Sequence, residues 1–341
     1  MKKRVLGMAL AGLLLAGCGT AGSSGTGGTP ASGGDTAGGN VKVAFVSQVE
    51  GIPYFSGFND GAKAEAEKLG VQYQQSGPAT ADSAEQLRIF NSLVQQGFNA
   101  IAISPLDPES MNSAIASARQ KGIVVITSDA DAPKSERQLF VQQVTDEGLG
   151  STAMDEIAKA AGEKGQFGIV SGAPNTDTFT KWIAAIEARQ AAKYPNMELV
   201  GGIRYTLTTE DALKETQNLI TAYPDLAGVI AIPSTAVPGV AQAVKNSGKG
   251  GKIAVTGFGS PQTAAPFLKD GTMTSTVLWD VPKLGALTVW AMKQLVDGKE
   301  IQASNTIAGF DQPIQYDAAT KTLLLGDPMV FTKANVDNYN Y

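Results

Sequence analysis

Apolar and polar residues alternate along the chain in two regular patterns from residue 41 onward. Short runs rich in β-branched residues are followed by longer stretches in which apolar residues recur every three or four positions. Most of the short runs are nearly all apolar, which is typical of strands buried on both faces of a parallel sheet, and the longer stretches are typical of amphipathic helices. The first of these patterns predict strands at 41–47, 71–75, 100–104 and 123–128, with helices at 55–69, 84–96 and 108–121.

The same rhythm restarts after Asp131. It predicts helices at 148–161, 178–193, 210–222, 262–269 and 283–296, and strands at 167–171, 198–204, 228–232, 253–256 and 273–279. Repeated strand–helix–strand units form parallel sheets covered by helices, so the fold class is α/β, with two doubly wound lobes. Because no Gly/Ser-rich linker separates the halves, we expect short segments that cross between the lobes, more than once.

The first forty residues differ in composition from the rest. Lys2, Lys3 and Arg4 precede an apolar run at 5–15, which is too short to span about 30 Å of hydrocarbon but is typical of a signal peptide. The run ends in Leu-Ala-Gly-Cys, which resembles the bacterial lipobox and makes Cys18 the expected lipidation site. Residues 1–17 are therefore interpreted as a lipoprotein signal peptide.

Residues 19–40 are almost entirely Gly, Ser, Thr and Ala, a composition that cannot bury a core. Residues 18–40 are thus interpreted as a lipidated cysteine followed by a flexible linker. We expect an exported, membrane-anchored lipoprotein, located in the periplasm or on the outer face of the cytoplasmic membrane, with contact to the membrane through the lipid only.

Composition narrows the chemistry that the remaining residues can perform. The 341-residue chain has no histidine and one cysteine, which excludes histidine-based catalytic triads, imidazole metal ligands and an intramolecular disulfide. A net charge of −5 without a basic block argues against nucleic acid as a partner. Gly257-Phe258-Gly259 lacks the third glycine of a dinucleotide-binding loop, so we expect no nucleotide cofactor. Asp129 and Asp131 could bind a cation through oxygen, but two carboxylates without a further cluster are weak evidence, and we expect no metal site.

Ligands of open parallel sheets bind beyond the carboxyl ends of the strands, so the residues directly after each run are the candidates. These residues are aromatic rings, carboxylates and small polar groups, and they include Gln48, Tyr54, Phe55, Ser104, Asp129, Asp131, Asp177, Thr178, Ser234 and Asp280. A monosaccharide needs this mixture, since its C–H face packs on an aromatic ring and its hydroxyls donate to carboxylates. No lysine or arginine is among them, which disfavours an acidic or phosphorylated sugar.

Each candidate also has a structural explanation. The aspartates can cap helices or turns, and Tyr54 and Phe55 can be core residues of the first helix. Trp182 and Trp290 lie at helical spacing among alanines and are expected in the core. Asp280 is the least typical of a cap, because Val281 and Pro282 follow it.

Four segments carry a family likeness: 43–55 (VAFVSQVEGIPYF), 95–105 (QQGFNAIAISP), 125–131 (VITSDAD) and 272–280 (TMTSTVLWD). They resemble the periplasmic solute-binding proteins of the ribose-binding type (type I), over nearly all of 41–341. The Asp129 and Asp131 pair, residues 175–182 (NTDTFTKW) and Leu278-Trp279-Asp280 look most similar to the branch that binds autoinducer-2 or rhamnose.

The resemblance implies two Rossmann-like lobes joined by a three-segment hinge, with crossings near Thr145, Gly257 and Asp280. It implies a first lobe of 41–145 plus 258–280 and a second of 146–257 plus 281–341. It also implies a monomer that binds a sugar and delivers it to an ABC permease, without enzymatic turnover. By position, Gln48, Ser104, Asp129 and Asp280 would face the ligand from the first lobe and hinge, Asp177, Thr178 and Ser234 from the second, with Tyr54 or Phe55 as the stacking ring.

Departures from the family pattern bear on the ligand. Autoinducer-2 binders have a lysine at the position of Gln48 and a glutamine at that of Thr178, and ribose binders differ at Ile52 and Ala130. The leading hypothesis is therefore a neutral monosaccharide, either a deoxyhexose such as rhamnose or a pentose. The alternatives are an autoinducer-2 receptor for uptake or signalling, and a surface glycosidase that uses Asp129 and Asp177 as acid and base.

Overall fold

The computed structural model describes residues 41–174 and 176–341, with the backbone alone for Asp177. The predicted signal peptide, Cys18 and the linker lie outside the described residues. The strands are β1 (Lys42–Val46), β2 (Gln72–Ser76), β3 (Ala100–Ile103), β4 (Val124–Ser128), β5 (Phe140–Gln142), β6 (Gly165–Ser171), β7 (Met197–Tyr205), β8 (Leu226–Ala231), β9 (Ala254–Gly257), β10 (Thr276–Leu278), β11 (Ser304–Asn305), β12 (Ile314–Asp317), β13 (Thr322–Leu324) and β14 (Met329–Phe331). The helices are α1 (Pro53–Leu69), α2 (Ser83–Gln95), α3 (Pro108–Gln120), α4 (Asp146–Ala161), α5 (Asp177–Lys193), α6 (Thr209–Ala222), α7 (Val237–Asn246), α8 (Pro261–Lys269) and α9 (Val281–Val296), followed by a 3-10 helix at Val336–Asn338.

An eight-stranded sheet forms the first lobe, in the order β11-β12-β13-β5-β4-β3-β1-β2. Pairing is parallel from β2 across to β13, and β11 and β12 add an antiparallel extension at one edge. Helices α1 and α9 cover one face, and α2 and α3 cover the other. The central strands are consequently buried almost throughout, whereas the polar sequence of β2, QYQQS, lies at the sheet edge.

A four-stranded parallel sheet in the order β7-β6-β8-β9 forms the second lobe. Helices α4 and α5 pack together on one side, and α6 and α7 on the other, where they enclose a separate apolar cluster. The predicted α/β class with parallel sheets is confirmed.

Within the described residues, three segments connect the lobes. Residues 143–145 join β5 to α4, residues 279–280 join β10 to α9, and residues 325–328 join β13 to β14. Strands β10 and β14 pair antiparallel, and β10 contacts β9 and α4 of the second lobe. The chain therefore leaves the first lobe, returns to it for α9, and leaves it again.

This path corrects the expected lobe boundaries. Residues 258–280, expected in the first lobe, contain α8 and β10, which pack with the second lobe. Of residues 281–341, expected in the second lobe, α9 packs on α1 and β11 to β13 extend the first sheet. No crossing lies at Gly257, because this residue ends β9 inside the second sheet.

Two glycines explain why α9 belongs to the first lobe. A Cβ atom at Gly61 of α1 would lie 1.9 Å from the carbonyl oxygen of Pro282, and one at Gly285 of α9 would lie 2.1 Å from that of Phe58. The two helices thus touch backbone to backbone, an approach that only residues without a side chain allow. The contact fixes the start of α9, and with it the second crossing, against α1.

Residues 41–341 belong to one compact unit. Among the described residues, none of the helices combines the length and apolar character needed to cross a bilayer.

Candidate functional site

A large cleft opens between the carboxyl ends of the first-lobe strands and the second lobe. Its volume is about 1520 Å³. The first lobe contributes Gln48, Pro105, Asp129 and Asp131 to its wall, and the second contributes Asp146, Thr176, Thr178 and Lys181. Side chains of both lobes therefore face one space, as expected for a site beyond the strand ends.

Asp129 is the central polar residue of the first-lobe wall. The Tyr54 hydroxyl donates to Asp129 Oδ1 at 2.5 Å, and the Ser104 hydroxyl donates to Asp129 Oδ2 at 3.0 Å. The backbone of Asp129 is left-handed, with φ of 72°, and its N–H donates to the carbonyl of Val141 on the neighbouring strand. Aspartate is one of the few residues that tolerate this conformation, and here it turns the carboxylate into the cleft.

The surroundings of Asp129 shift the pKa of its carboxyl group. Burial raises the pKa of the Asp129 carboxyl, and the hydrogen bonds from Tyr54 and Ser104 act in the opposite direction. Burial, together with the adjacent Asp129, raises the pKa of the Tyr54 hydroxyl well above its usual value. Tyr54 therefore remains a protonated donor at every physiological pH.

Trp279 of the second crossing holds Tyr54 from the other side. The Trp279 indole N–H donates to the Tyr54 hydroxyl oxygen at 3.1 Å. The two rings meet edge to face, with 6.1 Å between their centroids. Sequence analysis missed this role of Trp279, although its position directly after a buried strand, beside Asp280, was a signal that could have indicated it.

Tyr54 and Phe55 point to different places. Phe55 is 3% exposed and packs against Phe45 of β1 in the first-lobe core. The expectation that Phe55 could be the stacking ring does not agree with this position, because no face of its ring reaches the cleft. Tyr54 is half-buried and donates to Asp129, but its side chain is not among those that line the cleft.

Asp131 does not share the surroundings of Asp129. Its carboxylate forms two hydrogen bonds with the buried Arg137, at 2.5 and 2.7 Å, and accepts a third from Thr127. Arg137 also donates to the carbonyl of Thr320, in the turn between β12 and β13. This ion pair attaches the sheet extension to the end of β4 and leaves Asp131 little capacity for a ligand.

The expectation that no cation lies at the site is wrong. Arg137, Lys134 and Lys181 all line the cleft. The Arg137 charge is balanced by Asp131, and Lys134 forms an ion pair with Glu109 at 2.8 Å. These residues lie in loops and helices that the strand-end rule does not reach, which is why sequence analysis missed them.

Asp280 caps a helix, in contrast to the expectation. Its Oδ1 accepts the backbone N–H of Lys283 at 3.0 Å, and its Oδ2 lies 3.7 Å from the Lys283 ammonium. Pro282 does not prevent the cap, because proline is favoured in the first turn of a helix, where no backbone N–H is needed. Asp280 therefore organises the start of α9.

The remaining candidates are distributed over both lobes. Gln48 lines the cleft, and its side-chain amide donates to the carbonyl of Pro105 at 3.4 Å. Thr178 lines the cleft from the first turn of α5, and Ser234 is exposed in the loop after β8 but is not part of the cleft wall. The side chain of Asp177 lies outside the described residues. Trp182 is buried, as expected, and donates to Asp146 at 2.8 Å.

Three further residues were not singled out by the sequence. Gln143, in the first crossing, lines the cleft and is 9% exposed, and its Oε1 has no partner within the described part of the chain. Tyr205 and Leu207, at and just beyond the carboxyl end of β7, are 49% and 76% exposed. They are apolar side chains at a strand end of the second lobe, so the strand-end rule could have found them.

Metal binding gains no support from the side chains. Among the residues that the structure describes, no group of three or more aspartate, glutamate, histidine or cysteine side chains could hold a metal ion.

Comparison with known proteins identifies the family. Residues 43–300 match the periplasmic binding protein domain. The ribose import binding protein RbsB of Escherichia coli is 28% identical over 275 residues, which are 76% of this chain and 86% of that protein.

Two solved structures are similar over almost the whole chain. A sugar ABC transporter structure from Actinomyces odontolyticus has a TM-score of 0.79 and 28% identity, covering 88% of this chain and 98% of that one. LsrB from Clostridium saccharobutylicum in complex with AI-2 has a TM-score of 0.76 and 27% identity, covering 88% of this chain and 100% of that one. These relatives are binding proteins of transport systems, not enzymes. With the family model matched over most of its length and the two-lobed architecture in place, the chain belongs to the periplasmic binding protein family.

Proposed function

We propose that the chain is the substrate-binding protein of a sugar ABC importer and that it binds a neutral monosaccharide, a deoxyhexose such as rhamnose or a pentose, between its lobes. The family and its sugar-binding relatives support the general role. The observation that carries the proposal is the Asp129 carboxylate, which lies in the wall of the interlobe cleft and accepts hydrogen bonds from Tyr54 and Ser104.

This group offers acceptors to a ligand. A carboxylate has about four lone-pair positions, of which Tyr54 and Ser104 use two. The ligand must therefore bring O–H or N–H donors, as the hydroxyls of a sugar do, and a carboxylate or phosphate at this point would be repelled by Asp129. Charge-assisted hydrogen bonds of this kind are the stronger ones.

Two of the cations that line the cleft have their charge balanced within the protein. Arg137 is paired with Asp131 and Lys134 with Glu109, which reduces the attraction of these two residues for an anionic ligand.

The remaining parts of the proposal concern location and partners. A signal peptide and a lipid on Cys18 would hold the protein at the membrane, where a permease receives the ligand. We propose that it acts as a monomer in the periplasm or on the outer face of the cytoplasmic membrane.

A second ligand is supported by one observation. The LsrB structure in complex with AI-2 matches 88% of this chain over the full length of LsrB. An autoinducer-2 receptor for uptake or signalling is therefore the alternative, with the same aspartate as acceptor. Gln48 and Thr178, which differ from the pattern of that branch, are the reason for placing it second.

The test is ligand-dependent thermal stabilisation of residues 41–341. A panel of L-rhamnose, D-ribose, L-arabinose and autoinducer-2 is added at increasing concentration, and binding to the folded state alone stabilises it by about 2.7 kcal/mol at a hundred times Kd. We expect one neutral sugar to raise the Tm. Asp129→Ala should weaken its binding by about 1–3 kcal/mol, whereas Asp60→Asn on the exposed face of α1 should leave it unchanged.

The outcomes separate the hypotheses. A rise in Tm with autoinducer-2 alone would make the alternative the function. Unchanged sugar affinity in Asp129→Ala would contradict the proposed site. Hydrolysis of a chromogenic glycoside, which we do not expect, would revive the glycosidase hypothesis.

A further inference from the structure

The Tyr54 hydroxyl is the middle link of a hydrogen-bonded chain that begins at the hinge. Trp279, in the second crossing, is 5% exposed, and its indole N–H and its carbonyl both form hydrogen bonds. Its indole N–H donates to Tyr54, and its carbonyl accepts the Tyr341 hydroxyl at 3.1 Å. The Tyr341 carbonyl in turn accepts the backbone N–H of Gln262 in α8 of the second lobe. The indole therefore has a fixed direction relative to both lobes.

A fixed indole determines where the Tyr54 proton points. A phenol has one proton to donate, and the Trp279 N–H already occupies part of its oxygen. The acceptor within reach is Asp129 Oδ1, at 2.5 Å. Because its pKa is raised well above the usual value, the phenol keeps this proton and acts as a donor of constant direction.

Asp129 needs such a donor because its own position is unfavourable. Its backbone is in the left-handed region, and its carboxylate is partly withdrawn from water. Ser104 donates to Oδ2, and among the described residues Tyr54 is the side chain that donates to Oδ1.

We propose that Tyr54 is a positioning residue: its hydroxyl, aimed by Trp279 of the second crossing, holds the Asp129 carboxylate in the orientation that accepts the ligand. The inference rests on the proposed function for the identity of the ligand, but the positioning itself is a property of the free protein. This role depends on the hydroxyl of Tyr54, and a phenylalanine at the same position could not fulfil it.

Few titratable groups lie near Asp129, so a change in its titration can be attributed to the loss of the Tyr54 hydroxyl. Tyr54 faces it from α1, and Asp131 lies two residues further on, neutralised by Arg137. Tyr341 interacts electrostatically with Tyr54, and burial raises the pKa of the Tyr341 hydroxyl well above its usual value. The two phenols stay neutral while the Asp129 carboxyl titrates, because the pKa of each is raised.

The experiment compares Tyr54→Phe with wild type in residues 41–341, with Tyr73→Phe as the matched control. Tyr73 lies in the same lobe on β2, its hydroxyl donates to Gln75 instead of Asp129, and it loses the same single oxygen. The titration of Asp129 is followed by carbon-13 NMR of the carboxyl groups in the absence of ligand, and the affinity for L-rhamnose is measured by calorimetry from pH 4.5 to pH 8.

We expect the pKa of Asp129 to be higher in Tyr54→Phe than in wild type, because a hydrogen bond to the ionised form has been removed. Affinity should fall about tenfold at pH 7, and the further loss on acidification should begin at a higher pH than in wild type. Tyr73→Phe should match wild type in both measurements.

An unchanged Asp129 titration in Tyr54→Phe would overturn the inference, as would a loss of affinity that is the same at every pH. A shifted titration in a protein that binds none of the sugars or autoinducer-2 would uphold the positioning role while removing the proposed ligand. The two failures are therefore distinguishable.

Discussion

Asp129 and Asp280 both follow buried strands, but their carboxylates have different partners. Asp129 is held by two side-chain hydroxyls in the cleft wall. Asp280 accepts a backbone N–H at the start of α9 and faces the Lys283 ammonium. The first arrangement leaves lone pairs for a ligand, and the second uses the carboxylate to satisfy a helix end.

The cap can be tested by removing the Asp280 side chain. Asp280→Ala should lower the free energy of unfolding by about 1 kcal/mol, because an N-cap side chain is lost, and Asp280→Asn should retain most of it. Urea denaturation measures this effect, and calorimetry with L-rhamnose should give an unchanged affinity. A large loss of affinity at unchanged stability would instead make Asp280 a ligand residue.

Sequence reasoning at this scale named several residues that line the cleft, but it did not give their hydrogen-bond partners. That residues after each strand would lie together follows from parallel topology, which the apolar runs predict. Consecutive residues of a helix point in different directions, and the sequence does not show which direction faces the core. In α1, Phe55 is buried in the core, whereas Tyr54 donates to Asp129. The Asp131 and Arg137 pair depends on how the loop 129–139 folds back, for which the sequence carries no periodic signal.

At the scale of elements, the contact between α1 and α9 determines where the second crossing starts. Gly61 and Gly285 allow the two backbones to touch, and Trp279 and Asp280 lie immediately before the helix that this contact fixes. The contact between two helices thereby supports the orientation of the indole that holds Tyr54.

A methyl group at this contact should be poorly tolerated. Gly285→Ala should destabilise the protein by about 1–3 kcal/mol or more, since the new Cβ would overlap the Phe58 carbonyl and the helices must separate. Gly250→Ala is the control, because the nearest atom to its Cβ would be 3.8 Å away. Equal denaturation midpoints for the two variants would contradict the close contact.

The long elements were predictable, and several short ones were not. Helices with three or more turns and strands of apolar residues repeat their pattern often enough to be recognised. Strand β5, strands β11 to β14 and helix α7 were missed, because two to four residues do not establish a strand period and α7 begins with Val-Pro-Gly. The lobe boundaries failed for a related reason: β13 pairs with β5, about 180 residues earlier in the chain, and no local pattern encodes such a partner.

At the scale of the whole molecule, the cleft is larger than one sugar requires. Its volume of about 1520 Å³ exceeds the roughly 300–1,000 Å³ of ordinary small-molecule pockets. Three narrow crossings join the lobes, and hinge closure around a ligand is the motion that such an arrangement permits.

Closure predicts a change in size that solution scattering can measure. Saturating L-rhamnose should lower the radius of gyration of residues 41–341 toward the roughly 19 Å expected for a compact chain of about 300 residues. Asp129→Ala at the same sugar concentration should keep the larger value. A radius that does not respond to bound sugar would show that binding occurs without hinge motion.

The return of the chain to the first lobe for α9 also sets the order in which the protein can be completed during synthesis. Strands β1, β3 and β4 are made early, but the helix that covers one of their faces is made about 150 residues later. At roughly 5–20 residues per second, that interval lasts on the order of ten seconds or more. The second lobe, whose sheet is continuous in sequence from β6 to β9, can form most of its core during that interval, whereas the first sheet still lacks α9 and strands β11 to β13. A nascent chain therefore carries a first sheet on which α1 lies without its partner helix until α9 has been made.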